Sequence, residues 1–225
     1  MTVDTLTEEL AAHAHGRVPR ALRERQLLAL GAELFAERGY AGASMDELAT
    51  RAGVSKPVIY DLLGSKEELF RRCADLAAQD LHERVASAVA AAAPVADATA
   101  AEAQLRAGSL AFFRFAAEHR RSWSVLFAGD STFTAEAESI RHRQTALVEA
   151  LLTGAALEQG GAIDARQVAA TAQALNGAFE SLANWAAAQT DVTPETLTEW
   201  FVALTLPGLQ LLARSASAGP GSARR

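Results

Sequence analysis

The chain holds a single cysteine, Cys73, in 225 residues. An intrachain disulfide and a multi-cysteine zinc site are excluded, and the thiol is expected at a small, core-facing helix position. Proline and glycine are scarce, at 6 and 15 residues, and no alternating β-branched run occurs. With alanine abundant, an all-α chain is predicted. No stretch approaches the roughly 18 apolar residues of a membrane span. Residues 1–16 carry acids and no apolar core, so they are not a secretory signal. A cytoplasmic protein with no membrane contact is expected. The five histidines (His13, His15, His82, His119 and His142) share no metal-ligand spacing with nearby carboxylates. Nucleophile motifs and phosphate-binding glycine loops are also missing, so no metal, no cofactor and no enzyme activity are expected.

Lysine is the rarest charge. Lys56 and Lys66 stand against nineteen arginines, and the formal charge is −6. The balance is uneven, because residues 17–72 carry ten Lys/Arg against eight Asp/Glu. A mildly basic head on an acidic body suits a nucleic-acid contact confined to one end.

What is present is best read from 44–63. Ser44 is placed to cap a short helix, with Glu47 completing a capping box. Met45, Leu48, Ala49 and Ala52 share one face. Gly53 ends that helix in the left-handed region, and Ser55 caps the next, with Pro57 in its first turn. Val58, Ile59, Leu62 and Leu63 make its apolar face. Lys56, Pro57, Tyr60 and Asp61 fall near or on the outside. Two capped helices around a glycine turn are the helix-turn-helix layout, although the same pattern also occurs in proteins that never touch nucleic acid. Upstream, 17–38 reads as a helix with Leu27, Leu30, Gly31, Leu34 and Phe35 inward, ended by Gly39. Its arginines (Arg17, Arg20, Arg23 and Arg25) form either a solvated face or a reach toward phosphates and a minor groove. Downstream, Ser65 and Glu68 open a further helix toward Ala93. Lys66 stands at its N-terminus, where the dipole and unpaired amides attract anions.

The runs 32–40, 44–49, 52–56, 59–60 and 64–69, in this order and spacing, resemble the N-terminal signature of the TetR family of bacterial transcriptional regulators. The resemblance covers about fifty residues. It implies a three-helix DNA-binding head, a helical body for ligand binding and dimerisation, and a repressor released from its double-stranded DNA operator by a small-molecule effector. Carried onto this chain, Ser44 lies near phosphate, and Ser55, Lys56, Pro57 and Val58 open the recognition helix toward bases and backbone. Tyr60 and Lys66 hold phosphates. After Tyr60 the family tends to have Tyr-His-Phe, whereas this chain has Asp61, Leu62 and Leu63. Asp61 then either repels phosphate, pairs with a neighbour such as Arg51, or accepts from a cytosine amine.

The domain boundaries expected are a disordered arm (1–16), the DNA-binding head (17–66), the ligand-binding and dimerisation body (67–214) and a disordered tail (215–225). Body helices are predicted at 101–118, 132–159, 164–188 and from Pro194, with Pro207 and Gly208 interrupting the last. A turn into a short helix is predicted over 119–127. Large rings among many alanines leave room for an apolar cavity, and Phe112, Phe115, Trp123, Phe127 and Phe179 are its candidate walls, with Asn176 as a polar anchor. The same rings also read as plain core. The homodimer is expected through the last two helices, by small residues such as Ala174 and Gly177 beside Phe179, Trp185, Leu197, Trp200, Phe201 and Leu204. The alternative is a body that binds a protein partner rather than a small ligand.

Overall fold

The computed structural model describes residues 18–94, 98–120, 123, 134–158 and 164–217. The expected arm, the last eight residues of the tail and most of the predicted 119–127 segment, including Phe127, lie outside them. Eight α-helices and no strands are present among the described residues. They are α1 (Arg20–Gly42), α2 (Met45–Ala52), α3 (Lys56–Leu63), α4 (Lys66–Ala91), α5 (Ala100–Glu118), α6 (Thr134–Glu158), α7 (Ala165–Ala186) and α8 (Pro194–Ser217). The chain is all-α. It divides into two compact units, one of 1–78 with 119–136 and one of 79–118 with 137–225. The division falls inside α4 and α6.

In the first unit α1, α2 and α3 pack on one another and on the start of α4. Leu27, Leu34, Phe35, Leu48, Ile59, Leu63, Leu69 and Phe70 are almost wholly shielded. Burying a side chain such as Ile59 or Leu63 contributes about 1.5–3 kcal/mol, which is what fixes the short α3. Phe35 and Tyr40 both meet the edge of Phe70, at 5.0 and 5.3 Å between centroids. Gly31 lets α4 come this close, since a Cβ there would stand 3.0 Å from Leu69 Cδ1. Gly39, expected to end the first helix, takes φ 70° and kinks it, and the helix resumes to Gly42. Cys73 is buried here as expected, and its Sγ donates to Leu28 O. Burial pushes the thiol up to about 12.

In the second unit α5 packs on α7 and α8. Phe179 stacks on Phe201 at 4.1 Å, and Phe112 and Phe113 close round Phe179 at 4.8 and 5.5 Å. Side-chain caps start its helices, where unpaired amides need acceptors. Thr99 accepts from Glu102 N, Asp164 from Arg166 N and Thr193 from Thr196 N. Pro207 does not interrupt α8, which continues to Ser217, three residues into the expected tail. Proline removes one amide donor, and a long helix packed along α5 holds its course despite that loss.

Candidate functional site

The turn between α2 and α3 keeps the expected cap and glycine ending of α2 but not every expected cap bond. Ser44 Oγ accepts from Asp46 N at 3.2 Å. Gly53 lies in the left-handed region at φ 64°, and its N–H donates to Thr50 O. Val54 N–H donates to Ala49 O, which completes a Schellman ending. Glu47 does not complete the capping box but turns to Arg51 and Arg38. Ser55 occupies the N-cap of α3 with extended backbone, yet its hydroxyl makes no cap bond.

Only Ile59 and Leu63 of α3 are buried. Val58, expected on the apolar face, is exposed, and Ser55, Lys56, Pro57, Tyr60 and Asp61 are exposed with it. An eight-residue helix anchored by two side chains thus offers a face mixing hydroxyl, cation and small apolar groups. Those are the groups that meet phosphates, guanine edges and thymine methyls.

Ion pairs order this face. Lys56 Nζ lies 2.9 Å from Asp46 Oδ1, and the hydrogen bond to that carboxylate raises the lysine's pKa. Asp61 is paired, but with Arg20 and not with Arg51. Arg20 Nη1 donates to Asp61 Oδ2 at 2.8 Å, and Nη2 donates to the Asp61 carbonyl at 3.1 Å. Arg51 is committed to Glu37 and Glu47 at 2.7 and 2.5 Å, which raises its pKa further. The arginines around the start of α1 were legible only as a charge run, and the pairing of Arg20 with the odd acid of α3 was missed. Lys66, at the first turn of α4, lies 4.7 Å from the Tyr40 ring centre and donates to Ala41 O at 3.4 Å. Partial burial lowers its pKa.

The second unit encloses a cavity of about 740 Å³. Leu105, Leu147, Leu151, Leu175, Leu206 and Leu209 form much of its wall. Asn176 donates to Thr145 Oγ1 at 3.3 Å and to Arg141 O at 3.4 Å, which ties α7 to α6. At that end of the cavity lie the buried Ser109, Phe112, Gln144, Asn176 and Phe179, which form a floor. Toward the other end lie the exposed Thr99, Gln167, Gln210 and Arg214, which form a mouth.

Of the residues expected to meet a ligand, Phe112, Asn176 and Phe179 line this cavity. Phe115 is buried off the lining, with the Arg84 guanidinium 5.6 Å from its ring centre. Trp123 is buried and is not among the residues of this wall. Gln144 was missed. It stands four residues after Ile140 and three before Leu147, a polar residue on an apolar helical stripe, and that spacing was the available signal. Among the described residues no cluster of three or more His, Cys, Asp or Glu is fit to hold a metal. No described helix is long and apolar enough to cross a membrane.

Residues 27–73 match the model of bacterial regulatory proteins of the tetR family, and residues 101–208 match a tetracyclin repressor-like C-terminal domain. The HTH-type transcriptional activator FasR of Mycolicibacterium smegmatis is 38% identical over 114 residues. That stretch is 51% of this chain and 49% of FasR, so the chain spans about half the length of the curated relative it matches. A TetR-like transcriptional regulator from Rhodococcus sp. RHA1 is similar at 30% identity and TM-score 0.62, over 86% of this chain and 99% of that one. AibR, solved in complex with isovaleryl coenzyme A and operator DNA, shares the fold at 20% identity and TM-score 0.55, over 81% of this chain and 97% of its own. With both its helix-turn-helix head and its helical body matched, the chain belongs to the tetR family of bacterial regulatory proteins.

Proposed function

We propose that this chain is a homodimeric, ligand-responsive transcriptional regulator that docks α3 of each head into a palindromic operator. A mainly apolar small molecule in the second unit shifts its DNA affinity. The observation that carries the reading is the 740 Å³ apolar cavity in a chain whose α3 exposes Ser55, Lys56, Pro57, Val58 and Tyr60. A ligand acts only through a difference in affinity between DNA-competent and DNA-incompetent arrangements, so tight binding alone does nothing. A tenfold loss of operator affinity takes about 1.4 kcal/mol of coupling. Helix α4, which like α6 contributes to both units, is a covalent path for it.

A stripe on α7 supports the dimer. Ala170, Ala174, Gly177, Ser181 and Trp185 recur at helical spacing and are exposed. Trp200, Leu204 and Leu211 on α8 are exposed too, and the Trp185 and Trp200 rings lie 6.3 Å apart. Phe179, Leu197 and Phe201, also expected at the interface, are buried within the chain's own unit instead. The sign of regulation is proposed as repression relieved by ligand. The name of FasR, an activator, favours the opposite sign as the second reading. DNA fragments selected by the purified protein, then retested in shift assays with a panel of apolar effectors, test the operator reading and its coupling to ligand. Selection of no sequence would refute the operator reading, and operator affinity unchanged by any effector that binds would refute the coupling.

A further inference from the structure

The cavity floor has a feature that its apolar walls do not explain. Gln144 is only 6% exposed, and its Nε2 is shut off from solvent with no hydrogen-bond partner. Its floor neighbours are spent. Asn176 donates to Thr145 and to the Arg141 carbonyl, and Ser109 Oγ donates to Leu105 O at 2.6 Å. A buried donor left unmade costs stability, so one that persists calls for an explanation. Gln144 also forms part of the cavity wall. Its terminal side-chain torsion is broad and two-fold, so the amide can turn to meet a ligand without moving the rest of the side chain.

We infer that Gln144 reads a neutral carbonyl oxygen carried at the inner end of an extended apolar ligand. This rests on the ligand-responsive reading above and names the class of molecule for the same cavity. The acceptor is neutral because Ser109, Phe112, Gln144, Asn176 and Phe179 carry no charge, while the lining cation Arg214 stands at the mouth. A carboxylate brought to the floor would lose its hydration with no opposite charge to receive it. Nearby Arg141 is held by Glu180 in a two-pronged pair at 2.7 and 2.8 Å. The chain length follows from α6. Gln144 to Ala155, the first and last lining residues of α6, are eleven residue steps apart, or about 16 Å of helix. Three bonds of an extended chain span about 3.6 Å, so roughly thirteen bonds fill that length.

The test compares wild type with Gln144→Met, which keeps the shape and removes the amide. Affinities for 2-tridecanone and n-tridecane are read from the rise in melting temperature with probe concentration. Methyl dodecanoate and dodecanoate complete the set. The expected result is a loss of about tenfold for the ketone on Gln144→Met, with the alkane within twofold. The ester should also bind wild type at least tenfold more tightly than the carboxylate. Without probe, Gln144→Met should melt no lower than wild type, because no hydrogen bond is lost. Equal ketone affinity in both proteins overturns the inference and leaves the cavity reading standing. Tighter binding of the carboxylate overturns the neutral acceptor. A marked fall in the melting temperature of the unliganded variant overturns it as well, since the amide would then hold a structural bond. No stabilisation by any probe overturns the cavity reading and this inference with it.

Discussion

Replacing Asp61 by Asn isolates what the odd acid of α3 does. Both members of its pair are exposed, with 64% of the Arg20 side chain and 72% of the Asp61 side chain accessible. Such a pair is worth about 0.2–1 kcal/mol to folding, so the melting temperature should move by no more than about 2–4 °C. The effect on DNA is larger, because Arg20 is now spent on Asp61. Removing the charge loosens Nη1, which a neutral amide oxygen holds less firmly, while Nη2 stays on the residue-61 carbonyl and keeps the guanidinium beside α3. One added phosphate contact per head steepens the slope of log affinity against log salt by about 0.9, and a dimer gains about 1.8. Over a fourfold change in salt, that slope is worth about twelvefold in affinity. Asp61→Asn should therefore bind every DNA sequence more tightly, with the gain greatest at low salt. Arg20→Ala should weaken binding to all sequences, since it bares the carboxylate. The double variant should return close to wild type. Shift or anisotropy titrations at several salt concentrations read all four proteins. A loss confined to one base pair, with the slope unchanged, would refute this reasoning and show that Asp61 reads a base.

Further outcomes are expected for the rest of the molecule. Lys66→Ala should weaken binding about equally on all sequences and flatten the salt slope by roughly 2 for a dimer, whereas Lys56→Ala should relax preference at one base position at a cost of about 1–3 kcal/mol. Shift assays on a base-substituted operator series separate the two, and no effect from either variant would refute the docking of α3. Trp200→Glu should dissociate the dimer by about 2 kcal/mol or more while leaving helical content intact, because Trp200 stands 51% exposed on the proposed interface. Sedimentation velocity reads this, and a wild-type monomer at micromolar concentration would sink the interface. Cys73 ionises at about 12 in the folded chain against an ordinary value of 9.0. The folded state therefore favours the protonated thiol, and its contribution is full below pH 9.0 and falls as pH rises from there. The loss is up to about 1.4 kcal/mol per pH unit. Cys73→Ala should flatten that alkaline decline in denaturant titrations, and an unchanged decline would show that other groups cause it.

The head was readable residue by residue because its signals are local. Ser44 before an apolar run, Gly53 after it and Pro57 in the next turn each act through backbone geometry within a few positions. The structure keeps Ser44 and Gly53 as cap and left-handed ending. Where a local signal had a competitor, it lost. Glu47 suits a capping box, but a guanidinium within reach offers a charged hydrogen bond, about twice as strong as a neutral one, and Arg51 takes it. Val58 suits an apolar face by type. Once Ile59 and Leu63 are seated, however, the turn of an eight-residue helix leaves it outside.

The cavity was legible in kind and only partly in place, and the reason is geometric. Aromatic residues announce volume but not direction. Phe112 and Phe179 face the space, whereas Phe115, three positions on from Phe112, sits under Arg84. Which ring faces a void depends on how α5, α6, α7 and α8 pass one another, and no spacing within one helix encodes that. Polar residues on apolar stripes carry more information, because burying one without use is costly. Asn176 was found by that rule and sits on the floor, bonded across to α6. Gln144 obeys the same rule on the facing helix, yet its own stripe shows it only when the flanking Glu138, Arg141 and Arg143 are set aside. The two amides differ in what they have spent. Asn176 donates to Thr145 and to the Arg141 carbonyl, while Gln144 Nε2 has no partner, and that difference is why the ligand contact is proposed for Gln144 and not for Asn176.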